Sequence, residues 1–215
     1  MNENQFCFKT KFDQTILLGR KARNIPEMLD HIRIVPGSSI YYHTHRFLQQ
    51  HHYLSPEPPN DFAYWISTVL SEDALGERLS SIDIIQFKNI DDFRNTIINI
   101  IQEYLDSSSR RVDVPEGEEF YFMASKTFVL PTPYIAHTLT DFKNFVTIIS
   151  IQSLYYHIFD SYLRHEHGEN DFSIFFKNLG KNALAEEITR LDPYSQTLEG
   201  LRLKIIRLVE KYDQH

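Results

Sequence analysis

Histidine is the residue type of this chain with the widest chemistry, and seven of the ten histidines fall in two short stretches. The first stretch carries His43, His45, His51 and His52, and the second carries His157, His165 and His167. Two histidines on one helix face can chelate a metal only at a spacing of about three or four residues. No pair within either stretch has that spacing. We therefore predict no metal site and no cofactor.

His43 and His157 differ from the other histidines because each ends the same five-residue pattern. Ser39-Ile40-Tyr41-Tyr42-His43 recurs as Ser153-Leu154-Tyr155-Tyr156-His157, 114 residues later. We expect both to be buried histidines, each bonded to a backbone carbonyl or to a carboxylate such as Asp61 or Asp171. The alternative is a role in ligand binding or proton transfer, since imidazole exchanges protons near neutral pH.

Basic residues distinguish the first half of the chain from the second. Gly19-Arg20-Lys21-Ala22-Arg23 lies where the second half has Pro133-Tyr134-Ile135-Ala136-His137, and His45-Arg46 lies where it has Phe159-Asp160. We expect His45 on the surface, because the second half has no histidine at the matched position. The candidate ligand-binding residues, which suit a small anion, are Arg20, Lys21, Arg23, Tyr42, His43, His45, Arg46 and His157. The alternative is a surface charge cluster with no ligand.

The elements that position these residues recur in an internal repeat. Phe6-Cys7-Phe8 matches Phe120-Tyr121-Phe122 at the same offset, and Asn60-Asp61-Phe62 matches Asn170-Asp171-Phe172. We predict a mainly α fold of two tandem, pseudo-symmetric helical repeats of about 100 residues each. The first repeat is predicted over residues 1–105, a polar linker over 106–118, and the second repeat over 119–215.

Helix starts are predicted at matched places in both halves. Asn24 and Thr138 each precede an acidic residue in the pattern of a capping box, and Asn60 and Asn170 are favourable N-caps. After the last two caps, apolar residues recur at helical spacing and predict a buried face. These faces are Phe62, Trp65, Ile66 and Val69, and Phe172, Phe175, Phe176 and Leu179. Only Phe6–Lys9 and Phe120–Phe122 are typical of strands, and we expect these short strands to pair with each other.

Composition excludes several classes of protein. A hydrophobic content of 42% is enough for a core, and the net charge of −7 argues against nucleic-acid binding, which depends on clustered Lys and Arg. The most apolar stretch, residues 145–159, is too short and too polar to span a membrane, and the N-terminus lacks the pattern of a signal peptide. Cys7 is the only cysteine, so no internal disulfide can form. We expect a cytoplasmic protein.

Three segments resemble an uncharacterised bacterial family of unknown function. They are SSIYYHTHRFLQQHHYL at residues 38–54, PEPPNDFAYW at 56–65 and TFVLPTPYIA at 127–136. The resemblance covers nearly the whole chain. Each half, with its His, then Asn-Asp-Phe, then Leu before Ala or Gly, is also similar to a small helical module of uncharacterised prokaryotic proteins. These resemblances imply a folded, duplicated helical module and no particular reaction.

The sequence carries no strong catalytic motif. It has no phosphate-cradling glycine loop, no dinucleotide fingerprint, no Gly-x-Ser-x-Gly and no His-Glu-x-x-His. The favoured hypothesis is a non-catalytic binding or regulatory module for a protein partner or a small anionic ligand, compatible with formation of a homo-oligomer. The alternatives are an enzyme with His43 or His157 as general base, or a metal-dependent hydrolase or oxidase built from His43, His45 and carboxylates.

Overall fold

Two long strands and ten α-helices make up most of the described chain. The computed structural model describes residues 5–45, 60–87, 89–108, 112–163, 169–191 and 197–213. Strand β1 spans Phe6–Ala22 and strand β2 spans Phe120–Ala136. The two strands pair with each other in a two-stranded antiparallel sheet.

Each strand is followed in the sequence by five α-helices in the same order, and the first four of each set match in length. After β1 come α1 (Ile25–Ile34), α2 (Gly37–Thr44), α3 (Asp61–Thr68), α4 (Asp73–Ser80) and α5 (Ile90–Ser107). After β2 come α6 (Leu139–Ile148), α7 (Ile151–Ile158), α8 (Asp171–Asn178), α9 (Asn182–Thr189) and α10 (Leu198–Asp213). Short 3₁₀ turns lie at Ile84–Gln86 and Asp160–Leu163. No helix of the described part of the chain is long and apolar enough to cross a membrane.

The four predicted helix starts are confirmed by their capping hydrogen bonds. Asn24 accepts the backbone N–H of Glu27, and Thr138 accepts that of Asp141 in a complete capping box. Asn60 and Asn170 each accept the backbone N–H three residues later, at 2.7 and 2.8 Å. These bonds pair N–H groups that the first helical turn leaves without an intrahelical partner.

Close contacts divide the chain into two compact units, and each unit takes residues from both halves of the sequence. Unit 1 contains residues 5–12 and the described residues from 127 onward. Unit 2 contains residues 13–45 and the described residues from 60 to 126. The helices that follow β2 therefore form a unit with the first residues of β1. The helices that follow β1 form a unit with the first residues of β2.

The predicted fold class is wrong on two counts. The protein is a mixed helical and strand protein, not a mainly α one, because each strand is 17 residues long. It is also not two tandem helical repeats, because each unit includes strand residues from the other half of the sequence. The boundaries 1–105, 106–118 and 119–215 stay predictions.

The length of the strands is hidden from sequence reasoning because their middle parts face solvent. Residues 14–17 of β1 and 126–131 of β2 are exposed, so no alternation of apolar and polar side chains marks them. Pro131 and Pro133 also count against a strand. The predicted pairing of the strands at Phe6–Lys9 and Phe120–Phe122 is confirmed for β1 and β2 as whole strands, but these two segments do not lie opposite each other. Phe8 lies instead beside Thr132, whose Oγ1 donates to the Phe8 carbonyl at 2.7 Å.

The core of unit 1 is an aromatic cluster into which β1 inserts two phenylalanines. The rings of Phe6 and Phe8 lie 5.8 and 5.4 Å from the ring of Phe142 on α6. Phe6 also contacts Phe172 and Phe175 on α8, at 5.4 and 5.3 Å. Phe172, Phe175 and Phe176 are buried, as predicted, whereas Leu179 is only half-buried.

Unit 2 has an equivalent cluster of its own. Phe120 of β2 stacks on Phe62 of α3 at 5.2 Å and meets the edge of Trp65 at 5.9 Å. Phe62, Trp65 and Ile66 are buried, as predicted, and Val69 is half-buried. The indole Nε1 of Trp65 also donates to the Glu118 carbonyl at 2.7 Å, which satisfies its polar atom.

Replacement of Trp65 by alanine should lower the free energy of unfolding by about 3–5 kcal/mol, because it empties a buried aromatic site. Phe175→Ala should have a similar effect in unit 1, and both are measured by chemical denaturation. Ile34→Ala is the control, since Ile34 is 60% exposed and its removal should change stability by less than about 0.5 kcal/mol. If Ile34→Ala costs as much as Trp65→Ala, the assignment of the core is wrong.

Candidate functional site

His43 is buried in unit 2 with both ring nitrogens hydrogen-bonded. It lies near the end of α2, and its Nδ1 is 2.8 Å from the carboxylate of Asp61, the first residue of α3. The backbone N–H of Met123, on β2, donates to its Nε2 at 3.0 Å. The rings of Phe62 and Phe120 cover it at 5.3 and 4.7 Å, and only 3% of the residue is exposed.

His157 has the same set of partners in unit 1. Its Nδ1 is 2.7 Å from the carboxylate of Asp171, and the backbone N–H of Lys9, on β1, donates to its Nε2 at 2.8 Å. The ring stacks on Phe172 at 5.6 Å, and 2% of the residue is exposed. The prediction that both histidines are buried and bonded to a carboxylate is thus confirmed.

The hydrogen-bond partners assign the tautomer of both rings. A backbone N–H can only donate, so Nε2 must accept, and Nδ1 must carry the proton that it donates to the aspartate. A general base needs a ring nitrogen within hydrogen-bond reach of the substrate proton. In this arrangement no ring nitrogen is left for a substrate. What the arrangement does chemically is fasten a strand to a helix.

Helix α7 also covers the backbone of β1 at Lys9. Ser153, one turn before His157, donates from its Oγ to the Lys9 carbonyl at 2.6 Å. The neighbouring Thr10 Oγ1 lies 3.0 Å from Ser150 Oγ. Both backbone groups of Lys9 are therefore bonded by side chains of α7, which closes the strand edge at this residue.

Two of the basic residues of the first half form ion pairs within unit 2. Lys21 Nζ lies 2.8 Å from Glu119, and Arg23 lies 3.4 Å from Asp113. The hydrogen bond from Lys21 lowers the pKa of Glu119 from its ordinary value of 4.5 to about 2, with help from the backbone N–H groups of Glu119 and Gly117. The same bond raises the pKa of Lys21. Arg20 is exposed on β1.

The remaining candidate residues do not gather into one site. His45 is 8% exposed, so the expectation of a surface position is wrong. Its Nδ1 lies 2.8 Å from Thr44 Oγ1, and its ring meets the edge of Phe93 at 5.6 Å. Tyr42 is half-buried, with its ring 5.0 Å from the ring of His43. Arg46 lies outside the described residues, and His157 belongs to unit 1.

The described side chains offer no cluster of metal ligands. No group of three or more histidine, cysteine, aspartate or glutamate residues in those ranges is placed to hold a metal ion. His43 and His45 have different neighbours, in keeping with their spacing of two residues along a helix. The pair therefore offers no shared coordination site in the described part of unit 2.

A buried ion pair in unit 1 was missed by the sequence reasoning. Lys11 Nζ lies 2.6 Å from Asp160 and 5.0 Å from the centre of the Tyr155 ring, and the Lys11 side chain is fully buried. The only signal in the sequence is the presence of Lys11 within an apolar segment. The residue at the matched position of the second half is Ser125, so the lysine is not repeated there.

Five large apolar side chains on the strands of unit 1 are exposed, and four of them lie close together, apart from Ile135. We call Phe12, Phe128, Val129 and Leu130 the strand surface; they are 61%, 41%, 44% and 51% exposed. Antiparallel pairing with Thr132 beside Phe8 brings Phe12 to the part of β2 that carries the other three. The sequence does not reveal this surface, because a continuous run of apolar residues predicts a buried strand even when no other element packs against it.

Comparisons with known proteins give one family and one solved structure. The model of DUF5752, a family of unknown function, matches residues 3–210. The structure of OrfY from Thermoproteus tenax is similar to this chain with a TM-score of 0.81 and 26% sequence identity, over 98% of this chain and 96% of that one. Comparison with curated proteins finds no match.

The bond between His157 and Asp171 should appear as coupling in a double-mutant cycle. His157→Ala and Asp171→Ala should each destabilise the protein, and the double variant should lose less than the sum by about 0.5–3 kcal/mol. Denaturant titration of the four proteins measures this energy. The exposed pair Lys211 and Glu187 of the same unit, 2.8 Å apart, is the control and should couple more weakly. If the losses of unfolding free energy in the two single variants simply add in the double variant, the assigned hydrogen bond between His157 and Asp171 is contradicted.

Glu119 should make stability depend on pH in the acid range. Its folded-state pKa is lowered, so its contribution is complete above pH 4.5 and is lost as the pH falls from 4.5 to about 2. The stability difference between the native protein and Glu119→Gln should therefore shrink over this window, as measured by urea denaturation at several pH values. A difference that stays constant from neutral pH down to pH 2 would refute the role of this ion pair.

Proposed function

Because this chain belongs to the DUF5752 family, whose function is unknown, we propose a function from its own geometry: a non-catalytic module that binds a protein partner. The observation that carries the proposal is the strand surface of unit 1. Its occupant is an extended segment of the partner that combines apolar and acidic residues.

The apolar character of the segment follows from the exposure of the strand surface. Clustered apolar side chains that stay in contact with water are typical of sites where another protein binds. Each large side chain that becomes buried on binding contributes up to about 1.5–3 kcal/mol of hydrophobic free energy. Phe12, Phe128 and Leu130 lie on one face of the two strands, since side chains alternate along a strand and opposite residues share a face, and these three form a continuous area; Val129 lies on the other face.

The acidic character of the segment follows from the local charge. Residues 6–12 and 127–136 contain Lys9 and Lys11 but no aspartate or glutamate, in a chain whose net charge is −7. Lys11 is buried and paired with Asp160, whereas Lys9 is exposed. Lys9 lies on the face of β1 opposite to Phe12, so an acidic segment is attracted to this pair of strands at the face that carries Lys9.

The geometry favours a protein partner over a small anion. An anion at the basic residues of β1 would compete with the carboxylates of Glu119 and Asp113, which already neutralise Lys21 and Arg23. His43 and His157 offer no free ring nitrogen either, and this also argues against the alternative of a histidine general base.

We also propose that the chain arose by internal duplication and acts in the cytoplasm. Matched contacts support the first point, since His43 and His157 bond Met123 and Lys9, two residues that are 114 positions apart as well. The presence of one exposed cysteine, Cys7, suits a reducing compartment.

A phage library of random extended peptides tests the proposed function. Selection on the full-length protein should enrich peptides with alternating apolar and acidic residues. A synthetic copy of an enriched peptide should bind the double variant Phe12→Ser/Leu130→Ser at least about tenfold more weakly, because such a contact typically contributes more than 1.4 kcal/mol. Fluorescence polarisation measures both affinities.

The matched control for this experiment is Ile148→Ser. Ile148 belongs to the same unit and is 58% exposed, close to the 51% of Leu130, but it lies at the end of α6. Ile148→Ser should bind the peptide like the native protein. Absence of any enriched acidic peptide, or equal binding by the double variant, would count against the proposal.

A further inference from the structure

We propose that unit 2 is a conformational switch, whose helices open to solvent by local unfolding while unit 1 stays folded. The strand surface belongs to unit 1, so the inference goes beyond the proposed function. It rests on matched positions of the two units, at which unit 2 carries the less favourable residue or contact. The segments of a protein that open at low free energy are those that a ligand or a partner remodels most readily.

Buried polar atoms without a hydrogen bond burden unit 2. Among the described residues these atoms are Nδ1 of His31, Oγ of Ser39, Nε of Arg94 and Oγ of Ser125, and all four belong to unit 2. A buried donor or acceptor without a partner lowers the equilibrium constant of folding by about fivefold or more. The part of unit 1 that the structure describes has no such side-chain atom, so this cost falls on one unit.

The arginine on the last helix of each unit shows the difference in full. In unit 1, Arg202 donates from Nη1 to two backbone carbonyls at the end of α6, at 2.6 and 2.8 Å, and from Nε to Glu199 at 2.8 Å. The matched pair in unit 2, 108 positions earlier, is Arg94 and Asp91. The aspartate is one methylene shorter, and its carboxylate stays 3.7 Å from Nη2 of Arg94. Arg94 is nevertheless largely withdrawn from water, with 15% of its side chain exposed.

The two buried serines also have bonded counterparts in unit 1. Ser39 matches Ser153 at the offset of 114, and the Oγ of Ser153 donates to the Lys9 carbonyl at 2.6 Å. Ser125 matches Lys11, whose longer side chain reaches a carboxylate at 2.6 Å. The same positions in unit 2 therefore keep the burial and lose the hydrogen bond.

His31 replaces an apolar residue of unit 1. Its Nε2 lies 3.0 Å from the Lys21 carbonyl and so carries the ring proton, which leaves Nδ1 as an acceptor that receives no hydrogen bond from the described residues. The matched residue is Phe145, whose ring lies 6.1 Å from that of Phe8. Phenylalanine has no polar side-chain atom to satisfy, so unit 1 avoids this cost.

Backbone strain adds to the difference independently of the hydrogen bonds. Ser71, in the turn between α3 and α4, has a φ of 56°, in the left-handed region. The matched residue between α8 and α9, 109 positions later, is Gly180, with a φ of 74°. This region disfavours a residue with a Cβ atom by about five- to thirtyfold, whereas glycine adopts it readily.

Hydrogen–deuterium exchange of the full-length chain, followed by mass spectrometry, tests the switch. Residues 93–101 of α5 and 201–209 of α10 are matched segments of the two units. Relative to intrinsic exchange rates, the amides of residues 93–101 should exchange at least about tenfold faster than those of 201–209. Equal protection of the two segments, or faster exchange in 201–209, would overturn the proposal.

A double variant that gives unit 2 two residues of unit 1 tests the cause. Asp91→Glu supplies Arg94 with the longer carboxylate, and Ser71→Gly removes the left-handed strain. The variant Ser71→Gly/Asp91→Glu should slow the exchange of residues 93–101 at least about fivefold and leave 201–209 unchanged. Unchanged exchange in both segments, or equal slowing in both, would refute the assigned cause.

The matched control is the converse change in unit 1. Glu199→Asp shortens the carboxylate that pairs with Arg202 and should speed the exchange of residues 201–209, with no effect on 93–101. An equal effect on both segments would show that the two units open together and would overturn the switch.

Tryptophan fluorescence gives a second measurement on the native protein. Trp65 is the only tryptophan of the chain and is buried in unit 2, so its emission reports on that unit. Circular dichroism reports on the helices of both units. In a urea titration the fluorescence transition should be complete before the loss of helical circular dichroism is. Coincident transitions of the two signals would contradict the separate opening of unit 2.

Discussion

The bond from a strand N–H to the Nε2 of a buried histidine is the interaction on which each unit depends. In unit 1 it joins Lys9 to His157, and in unit 2 it joins Met123 to His43. A buried donor or acceptor left without a partner costs about 1–3 kcal/mol, so helix and strand must meet in this register. After each histidine in the sequence, an asparagine cap starts the next helix and thereby places the aspartate that orients the imidazole. A local capping signal thus determines a contact between elements that are distant in sequence.

The same bond limits what the histidines can do. An imidazole that donates to a carboxylate and accepts from the backbone has used its whole hydrogen-bonding capacity. Aromatic rings exclude water from it in both units. His43 and His157 are therefore structural. On the strands of unit 1, apolar side chains such as Phe12 and Leu130 are exposed to solvent.

The two strand edges are protected by different physical means. Near Lys9, side chains of α7 bond the backbone, and at Pro131 and Pro133 the donors are missing altogether. Natural edge strands usually carry such devices because unpaired backbone groups bind other strands.

Local signals in the sequence determined the helix starts, the buried faces of α3 and α8, and the bonding of His43 and His157 to aspartates. These features depend on residues close in the chain, on the 3.6-residue period of a helix, or on a matched pattern of polar residues. Tertiary structure alone decided that β1 and β2 are long, that each strand contributes to both units, that His45 is buried, and that Lys11 pairs with Asp160. The reason is that a strand receives its hydrogen bonds from a distant segment, and residues exposed on a two-stranded sheet carry no periodic pattern of burial. Which helices Phe6 and Phe8, or Phe120 and Phe122, pack against therefore depends on the shape of the helix surfaces that they meet. No local pattern in the sequence encodes that choice.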